Sequence, residues 1–364
     1  MVGASLAVAM LFFGCASSSS RPTLEQRLDA LVADIMANEA PPGMILGVWT
    51  PTRTYLKAVG VADLATGTPM TTGLNFRIGS QTKMYISTVI LQMVDEGKLA
   101  LEDTIAQHID GVKGGEGVTL LQAITNTSGL PSYTLDPAWV AEWEQDVARV
   151  WTTGELLAVS NGLDPVFAPG TGWNYSNINF VILGLIAEAV DGEPVADIMR
   201  RRLFAPLGMT VTNLPSDTSI PSPHPRGYYE SGVGSERLAD LTFQSPSWAF
   251  TAGGLVGNVA ESKRWIEAAV GGGLLSESLQ AKRMSTWANP HTGALDAPSG
   301  YGMGIGNRDG VIGHTGSLRG WTSGAYRVVD RDATIVFFFN LQSEVVDPAP
   351  RLLEGVAAAI RAEG

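Results

Sequence analysis

Cysteine is all but missing from this 364-residue chain. Cys15 stands alone, so no internal disulfide can form in any compartment. Histidine is nearly as scarce: His108, His224, His291 and His314 are the four, none sits four residues from another, and no Cys-x-x-Cys occurs. That leaves little material for a catalytic zinc site, and neither a metal nor a cofactor is implied. Basic residues are outnumbered, 24 Lys and Arg against 36 Asp and Glu, and a net charge of -12 argues against a broad nucleic-acid-binding face. Internal repeats and long Gly/Pro tracts are missing too, which argues against a collagen-like or disordered chain. What is present is apolar: 45% hydrophobic against 16% charged residues supports a large core, in one compound domain or two intimate ones.

Residues 2–13, Val2 to Phe13, are apolar or small and carry no charge. The segment is too short to span a bilayer and reads as the hydrophobic part of an export signal. Leu11-Phe12-Phe13-Gly14-Cys15 resembles a bacterial lipobox, in which the cysteine is lipidated and becomes the mature N-terminus. It departs from that pattern in having Phe12 where leucine is usual and no basic residue near Met1. Residues 1–20 are therefore expected to be an export signal with a lipidated Cys15 and a Ser-rich linker. The chain would then be membrane-anchored in the cell envelope, or else secreted or periplasmic.

From residue 21 the apolar spacing is informative. Leu24, Leu28, Leu31, Val32 and Ile35 mark a helix, and Met44–Trp49 and Tyr55–Val61 read as a strand pair. Helical candidates fill the middle: 119–126, 138–149, 153–160, 177–190, 194–203, 260–270 and 276–287. Strand patterns return at Val311–His314, Thr322–Val329 and Ala333–Asn340, followed by a helix over 347–361. The stretch 211–250 has few periodic signals. The simplest fold is α/β, an antiparallel sheet built from both chain ends (21–80 and 300–364) and flanked by helices, with a mostly helical region inserted over 81–299.

Three short stretches carry chemistry. Phe76-Arg77-Ile78-Gly79 reads as a strand that turns at Ser80 into an apolar helix, placing Lys83 one turn further on the same face. A serine hydroxyl beside a lysine becomes a nucleophile only where the environment lowers the lysine pKa. Tyr175-Ser176-Asn177 opens the helix near 177–190 and would point a phenol and an amide the same way. His314-Thr315-Gly316-Ser317 leaves a strand, with small residues that would let a substrate approach the backbone. His291-Thr292-Gly293 has the same letters but no flanking apolar run, so it reads as a turn.

Ser80-x-x-Lys83, Tyr175-x-Asn177 and His314-Thr315-Gly316, in that order, resemble the serine β-lactamase and penicillin-binding superfamily, and the tyrosine form of the second motif points to its class C branch. Asn126-Thr127-Ser128-Gly129-Leu130, Thr251-Ala252-Gly253-Gly254-Leu255 and Tyr301-Gly302-Met303-Gly304 add to the likeness. Asn126 stands where that family often has histidine, and His314 stands where β-lactamases have lysine. The resemblance implies a β-lactamase/DD-peptidase-like fold with Ser80 as nucleophile and Lys83 and Tyr175 sharing its proton, in either order. It also implies backbone N–H groups of Ser80 and Ser317 as the oxyanion donors. Asn177, Thr315 and Gly316 would contact substrate, and a charged His314 would help hold Tyr175 ionised.

For the substrate, the resemblance leads first to a D-alanyl-D-alanine carboxypeptidase, with Arg319 (or Arg308) holding a terminal carboxylate. The alternatives are a carboxylesterase whose acyl pocket uses Trp321, Trp173, Phe167, Trp248 and Tyr301, a β-lactamase, or a non-hydrolytic penicillin-recognising envelope protein. A small molecule or peptide with a scissile amide or ester is the expected partner, with no nucleic acid.

Overall fold

The structure is a computed structural model, and it describes residues 21–232 and 238–363. Cys15 and the proposed export signal lie outside the described residues. An eight-stranded sheet is assembled from both ends of the chain. In spatial order its strands are Thr68–Pro69, Thr54–Asp63, Gly43–Trp49, Ala333–Phe339, Trp321–Val328, Val311–Leu318, Gly306–Arg308 and Gly300–Tyr301. Every neighbouring pair is antiparallel. The two chain ends meet where Met44 pairs with Phe339 and Val48 with Ile335.

Alternation along Ala333–Phe339 explains the layering. Ile335, Phe337 and Phe339 face one cluster with the helices Leu24–Asn38 and Pro348–Arg361, whereas Val336 and Phe338 face the larger, helical body. A strand buried on both faces is apolar throughout, which is why it reads as a continuous run in sequence. In the body, Thr82–Asp95 and Asn177–Asp191 are adjacent helices, apolar nearly all round and almost entirely buried.

The stretch with weak periodicity holds short strands, Tyr228–Glu230 and Ala239–Asp240, the first pairing in parallel with Leu341–Ser343. The buried guanidinium of Arg77 fastens this stretch to the strand entering Ser80, donating to the carbonyls of Thr218 and Gln244 at 2.8 and 2.9 Å. The helix expected over 138–149 is shorter, Pro137–Gln145, because Asp146 leaves helical geometry.

Trp321 corrects an expectation. It was read as lining a substrate pocket, but only 1% of it is exposed, and its ring meets Phe76 edge-on at 5.7 Å. Gly227 packs on its far side, where a Cβ would come within 2.5 Å of the indole. Trp321→Ala is expected to cost about 3–5 kcal/mol in urea unfolding. A change in KM with unaltered stability would restore the substrate role.

Candidate active site

Ser80 is the middle residue of a single 3-10 turn, Gly79–Gln81, that leads into the helix Thr82–Asp95. The turn depends on Gly79, whose φ is +56°. A Cβ on Gly79 would sit 2.7 Å from the Ser317 nitrogen, and one on Gly316 would sit 1.8 Å from the Ile78 carbonyl oxygen. The turn and the strand Val311–Leu318 therefore interlock backbone to backbone. Ser323 secures the junction from the next strand, donating to the Ile78 carbonyl at 2.9 Å and accepting from Gln81 Nε2 at 2.7 Å. The Ser317 nitrogen is thus held against the turn that carries Ser80, as a two-donor oxyanion site requires.

Lys83 has no exposed surface. Its Nζ lies 3.0 Å from Ser80 Oγ and donates to the Ala252 carbonyl at 2.6 Å. The same nitrogen sits 4.7 Å from the centre of the Tyr175 ring and 5.4 Å from that of Phe180. Burial pushes its pKa well below the ordinary lysine value. Tyr175 completes the group: the Ser80 side chain lies near its phenol, and burial raises its pKa above the usual tyrosine value.

Tyr175 is placed by Asn126, which sequence reading treated only as a departure from the family pattern. Asn126 adopts φ +61°, a left-handed conformation that asparagine tolerates better than most residues. Its carbonyl accepts from Asn174 N at 3.0 Å, and its side-chain oxygen accepts from Ser176 N at 3.1 Å. The same side-chain oxygen accepts from Asn179 Nδ2 at 3.0 Å. Both neighbours of Tyr175 are thereby tied to one residue. Nothing in the sequence around Asn126 announces a partner fifty residues away.

His314 is buried on the same strand. Its Nδ1 donates to the Thr315 carbonyl at 2.5 Å, so in the neutral ring Nε2 accepts from the Tyr301 hydroxyl at 3.1 Å. Burial brings its pKa down to about 3. Burial favours the neutral imidazole, so the condition under which His314 would help hold Tyr175 ionised is not met. Tyr301 meets the Tyr175 ring edge-on at 5.9 Å and the His314 ring edge-on at 5.5 Å.

The remaining expected residues divide. Thr315 and Ser317 are exposed on one face of their strand, with Gly316 buried between them. Asn177 opens its helix half-buried, its backbone nitrogen donating to Ser132 Oγ at 3.3 Å and its amide 3.5 Å from Thr134 Oγ1. Arg319 is already engaged: it pairs with Glu144, lies 4.0 Å from Glu344, and is sandwiched between the rings of Trp143 and Tyr229 at 4.5 and 4.4 Å. Arg308 is exposed and pairs with Glu354 at 3.2 Å. Trp248 packs among Trp139 and Trp143, and Phe167 lies against Gly172. His291 is exposed in a turn, apart from the site. A cleft of about 620 Å³ opens beside the site, with Tyr175, His314, Thr315, Trp173 and Tyr301 in its wall.

Residues 28–359 match the family described as Beta-lactamase. Curated relatives include a D-aminopeptidase of Brucella anthropi, 29% identical over 90% of this chain and 61% of the relative. Penicillin-binding protein 4* of Bacillus subtilis is 24% identical over 80% of this chain and 66% of the relative. The chain spans about three-fifths of the length of the D-aminopeptidases it matches. Among solved structures, a D-stereospecific amidohydrolase from Streptomyces sp. aligns with a TM-score of 0.78 at 27% identity, over 91% of this chain and 96% of that one. D-amino acid amidase from Ochrobactrum anthropi SV3, complexed with L-phenylalanine amide, aligns with a TM-score of 0.79 at 25% identity, over 92% and 99%. With nearly its whole length inside that family match and its sheet and helices arranged as in these hydrolases, the chain belongs to the β-lactamase family.

Proposed function

We propose that the chain is a serine amidase or peptidase that forms an acyl-enzyme on Ser80, acting on amides and short peptides whose acyl part is a D-amino acid. The observation that carries the reading is the burial of Lys83 beside Ser80 Oγ with, among the described residues, a carbonyl as its other hydrogen-bond partner. Such an amine is neutral and has a lone pair for the serine proton. Tyr175, whose pKa is raised, stays a phenol and serves as relay rather than base.

In the forward step Ser80 Oγ attacks the scissile carbonyl and its proton passes to Lys83 Nζ. The oxyanion is met by the Ser80 and Ser317 N–H groups. As the C–N bond breaks, the leaving nitrogen takes a proton through the Tyr175 hydroxyl, which is replenished from Lys83. Water then attacks the ester, and Ser80 recovers its proton. Neutral His314 acts by accepting from Tyr301, which braces the Tyr175 ring.

The D-amino-acid preference is supported by the names of the relatives and neighbours. Charge favours an amine over a carboxylate at the Arg319 rim, where one guanidinium faces Glu144 and Glu344. A D-alanyl-D-alanine carboxypeptidase would need a free cation for the terminal carboxylate, and Arg319 is not one. The lipobox-like Cys15 supports a place in the cell envelope.

With D-phenylalaninamide as substrate, Ser80→Ala should lower turnover by at least about 10⁴-fold and abolish the Ser80 adduct in intact-mass spectra. Full turnover would sink the reading, and equal rates on the L-amide would remove its stereochemical part. Lys83→Met should lower kcat by about 10²–10⁴-fold while raising the urea midpoint, because it removes a desolvated amine from the core. A drop in both would make Lys83 structural. The kcat/KM profile should show no limb near pH 6.5, and His314→Gln should leave its shape unchanged, because the imidazole titrates only at about 3. Stability has the opposite sensitivity. As pH falls from about 6.5 towards 3, the unfolded chain takes the His314 proton first, so folded stability drops over that window and not above it. His314→Gln should flatten that part of the urea-midpoint curve.

A further inference from the structure

The carbonyl that accepts from Lys83 Nζ belongs to Phe250–Gly253, a single helical turn. The turn opens on an unusual backbone: Phe250 has φ +37°. Of the five non-glycine residues with positive φ among the described residues, Phe250 alone is aromatic. Asparagine and aspartate enter that region with little penalty, but a bulky side chain brings its Cβ too close to the next carbonyl. A conformation of this kind persists only where the surroundings enforce it, and it is a reason to ask what it positions.

The enforcing contacts come from both sides. The Pro246 carbonyl accepts from Ala249 N at 2.9 Å and from Phe250 N at 3.0 Å, and the Phe250 carbonyl accepts from Gly254 N at 2.7 Å. The Thr251 hydroxyl donates to the Phe180 carbonyl at 2.7 Å, on the helix Asn177–Asp191. Gly184 of that helix makes room for the turn. A Cβ on it would come within 2.3 Å of Thr251 Oγ1 and 2.9 Å of Phe250 Cε1. The Phe250 ring is therefore laid against the helix at the one place where no side chain intervenes. Phe250 also lines a cavity of about 270 Å³ and is only half-buried, so packing does not grip it all round.

The consequence lies two residues on. The Ala252 carbonyl accepts from Lys83 Nζ at 2.6 Å. A Cβ on Gly253 would sit 3.6 Å from the Gly79 carbonyl carbon and 3.8 Å from the Ser80 nitrogen, so the turn also rests on the one that carries the nucleophile. The backbone has two soft dihedrals per residue, and a rotation at residue 250 redirects the carbonyls that follow it. In the acylation step the proton leaves Ser80 Oγ for Nζ, and the electron pair left on Oγ forms the bond to the acyl carbon. Of the two partners described for Nζ, Ser80 Oγ is by then bonded to substrate, and the Ala252 carbonyl is left to accept from the new ammonium. A hydrogen bond from an ion is about twice as strong as one from a neutral donor, so this carbonyl favours the state after proton transfer over the state before it.

We infer that Phe250 is a positioning residue for the reaction: its left-handed backbone, pinned by the ring on Gly184, aims the Ala252 carbonyl at Lys83 Nζ. This rests on the amidase reading above.

Phe250→Gly, Phe250→Ala and Phe250→Val, assayed on D-phenylalaninamide, separate aiming from packing because the two roles rank them in opposite order. Valine keeps the most apolar volume but is the worst at positive φ, whereas glycine keeps none and adopts +37° without strain. All three should fall below the parent protein in kcat, since each loses the ring, but in the order Gly, Ala, Val. Val should stand about 10–100-fold below Gly, the worth of one hydrogen bond to a charged group. KM should move by less than about threefold, because Ala252 is buried and serves the lysine. Gly184→Ala should lower kcat in the same direction, although alanine is the better helix former. If Phe250→Val does not fold, Ala against Gly makes the same comparison. A kcat for Val or Ala at or above that of Gly, with Ser80 acylated in each, would overturn the positioning role and leave the amidase reading standing. No Ser80 acylation in the parent protein would overturn both.

Discussion

A lysine side chain with no exposed surface and, among the described residues, no carboxylate within pairing distance sets the terms for everything around it. Desolvation makes an ammonium there costly, so burial favours the neutral amine. Its neighbours obey the same rule. Tyr175 and Tyr301 are held as phenols and His314 as a neutral imidazole, each by burial. The result is a cluster of buried groups whose neutral forms burial favours. Keeping such a group inside the core reduces stability, and the apolar helix on which Lys83 rides offsets that loss.

Two structural layers deliver the parts, and one helix joins them. The sheet supplies the Ser317 nitrogen, fixed because the strand that bears it is next to strands buried on both faces. The helical body supplies Tyr175, fixed because Asn126 grips the residues on either side of it. The Ser80 turn touches both: Gly79 meets the sheet, and the helix beginning at Thr82 runs into the body. A Cβ at Gly79 or Gly316 would clash with backbone across this junction, so the approach of the Ser80 turn to the Ser317 nitrogen depends on two missing Cβ atoms.

Much of this was legible along the chain. Strands at both ends and helices between them follow from apolar spacing, which is a local property, and the three motifs follow from their order and local setting. What escaped reading depends on contacts between distant segments. Ala252 contributes only a backbone carbonyl to Lys83, which no side-chain pattern announces. Arg319 looked like a free cation because Glu144 and Glu344 are remote in sequence. Trp321 looked like a pocket aromatic because an alternating strand does not reveal which of its faces a later segment covers. The protonation of His314 depends on its seclusion, and seclusion is not written next to it in the chain.

The two approaches to Ser80 have one electrostatic feature in common. On the Arg319 rim, Glu144 and Glu344 outnumber the guanidinium; in the wall of the cleft beside Tyr175, Arg308 is paired with Glu354 and Asp347 lies nearby. At physiological ionic strength charges act over about 8 Å, so these local surpluses matter more to a bound substrate than the overall charge of -12. A free dipeptide would bring its carboxylate into such a surplus. A D-amino-acid amide brings an ammonium at one end and no charge at the other. Burying an unpaired carboxylate costs more than a surface ion pair supplies, so under the proposed function a substrate without a free carboxylate suits such surroundings better.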